Sequence, residues 1–140
     1  MSAVEEIGWE GLGTDLPDFD ANKFVVELEG QPTPEGISQR LAEAQSKKNQ
    51  IVLMLHGLAE MFEYKHALLK IEKARALQSA TGTVKQREAA AEDVAEPTSL
   101  EAAKIKGRVK SLNYLLDNLN SAQIALSGQI KTMAIQNNLN

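Results

Sequence analysis

The chain has 140 residues, 43% of them hydrophobic but only 4% aromatic, with no cysteine and a net charge of −4. That length suits one domain, and the missing thiols exclude disulfides, a thiolate nucleophile and cysteine-ligated metals, which points to the reducing cytoplasm. A core poor in aromatics and rich in Leu, Ala, Ile and Val suits thin layers between helices.

Charge is unevenly spread. Residues 1–36 hold nine acids against one base, whereas residues 37–140 hold ten acids against 14 bases. The pattern is that of an acidic arm joined to a basic body, each with its own partner or with each other. The N-terminus lacks the basic and apolar regions of a leader, and no run of 18 apolar residues occurs, so neither export nor a membrane span is expected.

Residues 1–32 contain Gly8, Gly11, Gly13, Pro17, Gly30 and Pro32, too much punctuation for a useful helix, and read as an acidic extended arm. Within it, residues 23–28 alternate Phe24, Val26 and Leu28 on one side, which predicts a short strand. Trp9, Leu12, Leu16 and Phe19 are isolated apolar residues among acids. That composition suits docking into a basic, apolar-lined groove and makes these four the candidate partner-binding residues.

Residues 33–140 form the second region. Thr33 is a good N-cap and Pro34 a favoured first helical residue. Ile37, Leu41, Ala44, Ile51, Leu55, Leu58, Phe62 and Leu69 then follow steps of three and four, interrupted by Lys48 and Lys65, which predicts one long helix to about residue 79 with Gly57 as the kink. Thr83 and Gln86 read as a capping box opening a short helix through about residue 95, which Pro97 closes. Thr98 and Glu101 read as a second box, followed by Ile105, Val109, Leu112, Leu116, Leu119, Leu126, Ile130 and Met133, with Gln123 as the polar break.

Two matching seams predict an all-α fold: a long antiparallel helical hairpin with a short intervening helix and an extended N-terminal arm. Val52, Met54, Ala59, Met61 and Leu68, with Tyr114, Leu115, Ala122, Ala125 and Ile135, widen the apolar surface beyond the seams. A homo-oligomer is therefore expected, with Leu55, Leu58, Phe62, Leu112, Leu116, Leu119, Leu126 and Ile130 as its oligomerisation residues.

No nucleotide-binding, metalloprotease, hydrolase or calcium-loop motif is present, and the expectation is a protein without catalysis, cofactor or metal. His56 and His66 lie ten residues apart on one helix and cannot share a metal within one chain. Ten bases, Lys65, Lys70, Lys73, Arg75, Lys85, Arg87, Lys104, Lys106, Arg108 and Lys110, stand against six acids between residues 65 and 110. A hairpin gathers them at one end, where they are candidates to hold a phosphate backbone.

The stretch YKHALLKIEKARALQSATGTVKQREAAAEDV, followed by AAKIKGRVKSLNYLLDNLNSAQIALSGQIKTM, covers about residues 64 to 133. In layout it resembles the small phage recombination mediators of the UvsY type: a long helix ending in bases, a charged turn and a second helix with a leucine seam. The resemblance implies a ring-forming cytoplasmic accessory protein that binds single-stranded DNA and helps load a recombinase onto strands covered by single-strand-binding protein. Lys70, Lys73, Arg75, Lys85 and Arg87 would then be the DNA contacts. The acidic arm departs from that pattern and favours partner docking. The competing class is a virion structural or scaffold-like component, assembled through the hairpins and the arm.

Overall fold

The computed structural model describes residues 16, 19–28 and 33–139, and among them every regular element is helical. A short 3-10 helix, Ala21–Phe24, is followed by α1 (Pro34–Ser79) and α2 (Val84–Leu139), which pack against each other as a hairpin.

The ends of α1 and α2 follow from local hydrogen bonding. The Thr33 hydroxyl accepts from the Gly36 N–H at 3.0 Å, which gives one orphan donor of α1 its partner. At the start of α2 the capping box is reciprocal: the Gln86 N–H donates to the Thr83 hydroxyl at 3.2 Å, and the Thr83 N–H donates to the Gln86 side-chain oxygen at 3.0 Å. Gly82 precedes it with φ +110°, and a Cβ there would lie 2.3 Å from Gln86 Oε1, so turn and cap both require glycine.

Burial recurs every seven residues. Ile37, Ala44, Ile51, Leu58 and Lys65 form the buried row of α1, and Ala91, Thr98, Ile105, Leu112, Leu119 and Leu126 that of α2. This is the heptad pattern of a coiled-coil seam, in which the row facing the partner helix repeats at 3.5 residues per turn. Half-buried residues flank each row on both sides. Met61 and Ala122, read from the sequence as outward-facing, are buried in this seam, and Met54, Leu68 and Leu115 are half-buried beside it. The outer apolar surface is correspondingly narrower than the sequence suggested.

Three expectations require correction. No separate intervening helix forms: α2 runs through Pro97 to Leu139. An interior proline removes one backbone donor and costs roughly 3 kcal/mol, yet Ala91, Ala95 and Thr98 around it are buried, and that packing holds the helix through the defect. The Thr98 hydroxyl does not cap a helix; it donates to Glu72 Oε1 of α1 at 3.0 Å. Residues 25–28 have no regular structure, so the predicted strand is absent there. A lone strand has no ladder partner for its backbone groups; only Val26 is buried, while Val25 and Leu28 are exposed. The long first helix forms as expected, α1 running through Gly57 to Ser79.

The described chain divides into two compact units. The turn unit comprises residues 54–110, where Lys65 pairs with Glu101, Lys73 with Glu92 at 3.4 Å, and Arg87 donates to the Leu77 carbonyl at 3.0 Å. The open-end unit comprises residues 18–53 with 111–140. Lys48 donates to Gln123 Oε1 at 2.9 Å, and the Gln123 amide in turn donates to Gln45 Oε1 at 3.2 Å, so the polar break of the seam carries its own network. Lys47 also donates to the Val25 carbonyl at 2.8 Å, tying the segment before α1 to that helix.

Candidate nucleic-acid interface

The ten candidate bases fall into two groups. Lys65 is only 4% exposed and is committed to Glu101 across the hairpin. Lys73 pairs with Glu92, Arg87 is spent on the Leu77 carbonyl, and Arg108 is half-buried with a partner of its own. Lys70, Arg75, Lys85, Lys104, Lys106 and Lys110 are exposed. Three of these last six share one short stretch of α2.

Along α2 the charge changes sign. Residues 88–101 carry Glu88, Glu92, Asp93, Glu96 and Glu101 with no base, and residues 104–110 carry Lys104, Lys106, Arg108 and Lys110 with no acid. At about 100° per residue, Lys104, Lys106 and Lys110 project from the half of the helix opposite buried Ile105. Helix-surface neutralisation operates between residues three and four apart. Lys106 and Lys110 have no acid at those spacings, and Lys104 has only Glu101, whose carboxylate is already held by Lys65. Along α2, Lys104, Lys106 and Lys110 thus make a solvent-facing cationic strip with no free acid at neutralising spacing. Gly107 lies within it, and a Cβ built there meets nothing within 4 Å.

The acidic block is also organised. Lys73, Glu92, Asp93, Ala95, Glu96, Ser99 and Leu100 line a shallow depression in the turn unit, with Leu100 57% exposed at its rim.

The remaining candidates are placed as follows. Trp9 and Leu12 lie outside the described residues. Leu16 and Phe19 are half-buried, and Phe19 stacks on Phe24 with ring centroids 5.5 Å apart. Leu58, Leu112, Leu119 and Leu126 are buried within the hairpin seam, while Leu55, Phe62, Leu116 and Ile130 are half-buried beside it. The Phe62 ring stacks on His66, and His56 faces Glu60 at 3.8 Å. Among the described residues no group of three or more His, Asp or Glu is placed to hold a metal ion, and no helix is long and apolar enough to cross a membrane.

Sequence reasoning missed the half-buried Glu72 and the buried Thr98. The signal was present, since Lys65, Glu72 and Thr98 fall on the heptad rows; Thr98 was read as a cap because its spacing to Glu101 also fits one. No protein-family model, curated protein or solved structure matches the chain.

Proposed function

We propose that this protein is a non-enzymatic, self-associating accessory protein that holds single-stranded nucleic acid through the Lys104, Lys106 and Lys110 strip of α2, assisted by Lys70, Arg75 and Lys85. The single observation behind this reading is that strip: three exposed lysines within seven residues, on the outward half of a helix, with no free acid three or four residues away along it. Phosphates spaced along a strand are the natural counter-charge for such a row, and binding of this kind is tolerant of sequence. Tyr64 and Tyr114 are exposed and available for base stacking. The layout shared with the UvsY type suggests the role of a recombination mediator, with a recombinase or a single-strand-binding protein as further partners.

The test is binding of a labelled single-stranded oligonucleotide to the full chain across a salt series. Affinity should fall steeply with salt, and the triple variant K104E/K106E/K110E should lose most of the binding and most of the salt slope, by about one unit of slope per phosphate contact removed. Salt-insensitive binding, or binding unchanged in the variant, removes the reading.

A second reading, a virion structural or scaffold-like component, draws on the apolar residues that stay exposed, among them Val52, Leu53, Ile124 and Ile135. Deleting residues 1–32 tests it. An assembly that comes apart without the arm favours the structural role.

A further inference from the structure

The charge reversal along α2 has a geometric property that a single copy does not use. Asp93 and Gly107 each lie seven residues, two helical turns, from Leu100, one on the acidic side and one on the basic side. All three fall on one row of the outward surface, because a seven-residue step returns to nearly the same helix face. Asp93 is exposed within that row and Glu96, Lys104 and Lys110 beside it, and Leu100 is the large apolar side chain at its centre.

We infer that α2 is the self-association surface, pairing antiparallel with α2 of a second copy about a two-fold axis through Leu100. In this arrangement Leu100 meets Leu100 of the second copy. Asp93 lies over Gly107 of the second copy, where the missing side chain leaves room, and Lys104 and Lys110 of that copy, three residues either side of Gly107, flank its carboxylate. Two-fold symmetry forms the same cluster a second time with the roles exchanged, as an isologous contact requires. Glu96 and Glu92 flank the contact, Glu92 being shared with Lys73 of its own chain. The depression beside Leu100 is lined by Glu92, Asp93 and Glu96 with Lys73, a net acidic lining that suits the lysine ammonium groups of the second copy.

The identification of the occupant rests on charge complementarity. One helix carries five acids in 14 residues and then four bases in seven, and an antiparallel copy brings the two blocks together twice. A parallel copy would set like against like and be repelled.

This contact concerns the same lysines that the proposed nucleic-acid reading uses. A phosphate backbone and a second copy therefore compete for one strip, and the contact is the resting occupant that nucleic acid displaces.

The chain has no cysteine, so single cysteines report the geometry directly. In the full chain, Leu100→Cys should form a disulfide-linked dimer under mild oxidation on the order of tenfold faster than the control Ile124→Cys, although residue 124 is the more exposed of the two, because the axis places two copies of residue 100 side by side at high effective concentration. Adding Asp93→Lys should abolish the advantage, and adding Lys110→Glu to that variant, with Lys104 kept opposite Glu96 of the second copy, should restore much of it, which loss of folding could not do. Single-stranded DNA should slow the cross-link of L100C. Equal cross-linking at residues 100 and 124, or no rescue by the reversed charges, overturns the inference. Cross-linking that behaves as expected in a chain that binds no DNA retains the α2 contact and removes only the proposed nucleic-acid function.

Discussion

The two units of the hairpin solve one packing problem with different side chains. In the open-end unit the buried rows are wholly aliphatic: Ile37, Ala44 and Ile51 on α1, with Leu112, Leu119 and Leu126 on α2. In the turn unit the same rows carry Leu58 and Lys65 on α1 and Ala91, Thr98 and Ile105 on α2, with half-buried Glu72 next in the α1 row. Aliphatic burial is favourable wherever it occurs, so a row made only of Leu, Ile and Ala stabilises strongly but tolerates sliding by a heptad. A charged residue in the row contributes less to stability but accepts only one partner. Lys65 finds Glu101 and Thr98 finds Glu72, so a shifted pairing would strand an ammonium group among aliphatics. Both units adhere through aliphatic burial, but the turn unit sets its register-fixing groups in the buried rows themselves, whereas the open-end unit keeps Lys48 and Gln123 half-buried beside them.

The largest effect expected from breaking this comparison is at Leu119. Leu119→Ala removes a fully buried side chain from an aliphatic row and should cost about 2–5 kcal/mol, read as a lower urea midpoint with an unchanged slope. A loss under 1 kcal/mol would mean that the open-end row does not adhere through aliphatic burial. Next is Pro97→Ala. Because α2 continues through this residue, alanine restores a backbone donor and should raise stability by up to about 3 kcal/mol. A decrease would show that the proline bend is itself required by the packing.

The smallest effect is expected at the polar row. Lys65→Met should cost only about 1 kcal/mol, since Glu101, with its side chain 37% exposed, can return to water when its partner is removed. The double variant K65M/E101M should be at least as stable as the parent, because well-packed apolar replacements of a buried pair often are. A double variant much less stable than the parent would assign real adhesion to the ion pair and erase the contrast between the units.

The same contrast explains what could be read in advance. Caps at Thr33 and Thr83 were legible because each depends on residues within one turn, and the structure realises both. The aliphatic seam was legible through its spacing, although only one of its two flanks was recognised: Met61 and Ala122, on the other flank, resemble a second face until the partner helix is in place. Pro97 and Thr98 misled because a proline followed by Thr-x-x-Glu carries the local signature of a helix start, whereas the tertiary contact to Glu72 decides the outcome. Phe24, Val26 and Leu28 misled because alternation over so few residues also arises in an irregular segment anchored by one side chain. For the candidate interface, the sequence supplied the bases. Which of them are consumed internally, as Lys65 is by Glu101, depends on residues 36 positions apart.

The hydrogen bond from Lys47 to the Val25 carbonyl, with Val26 buried beside it, gives the acidic segment a fixed mooring point. A ligand tied by a short tether is present at an effective concentration in the mM range, whatever the protein concentration in bulk. Any surface that the first fifteen or so residues recognise within reach of that mooring is therefore met as if by a concentrated reagent. A contact far too weak to survive between separate molecules becomes sufficient to act.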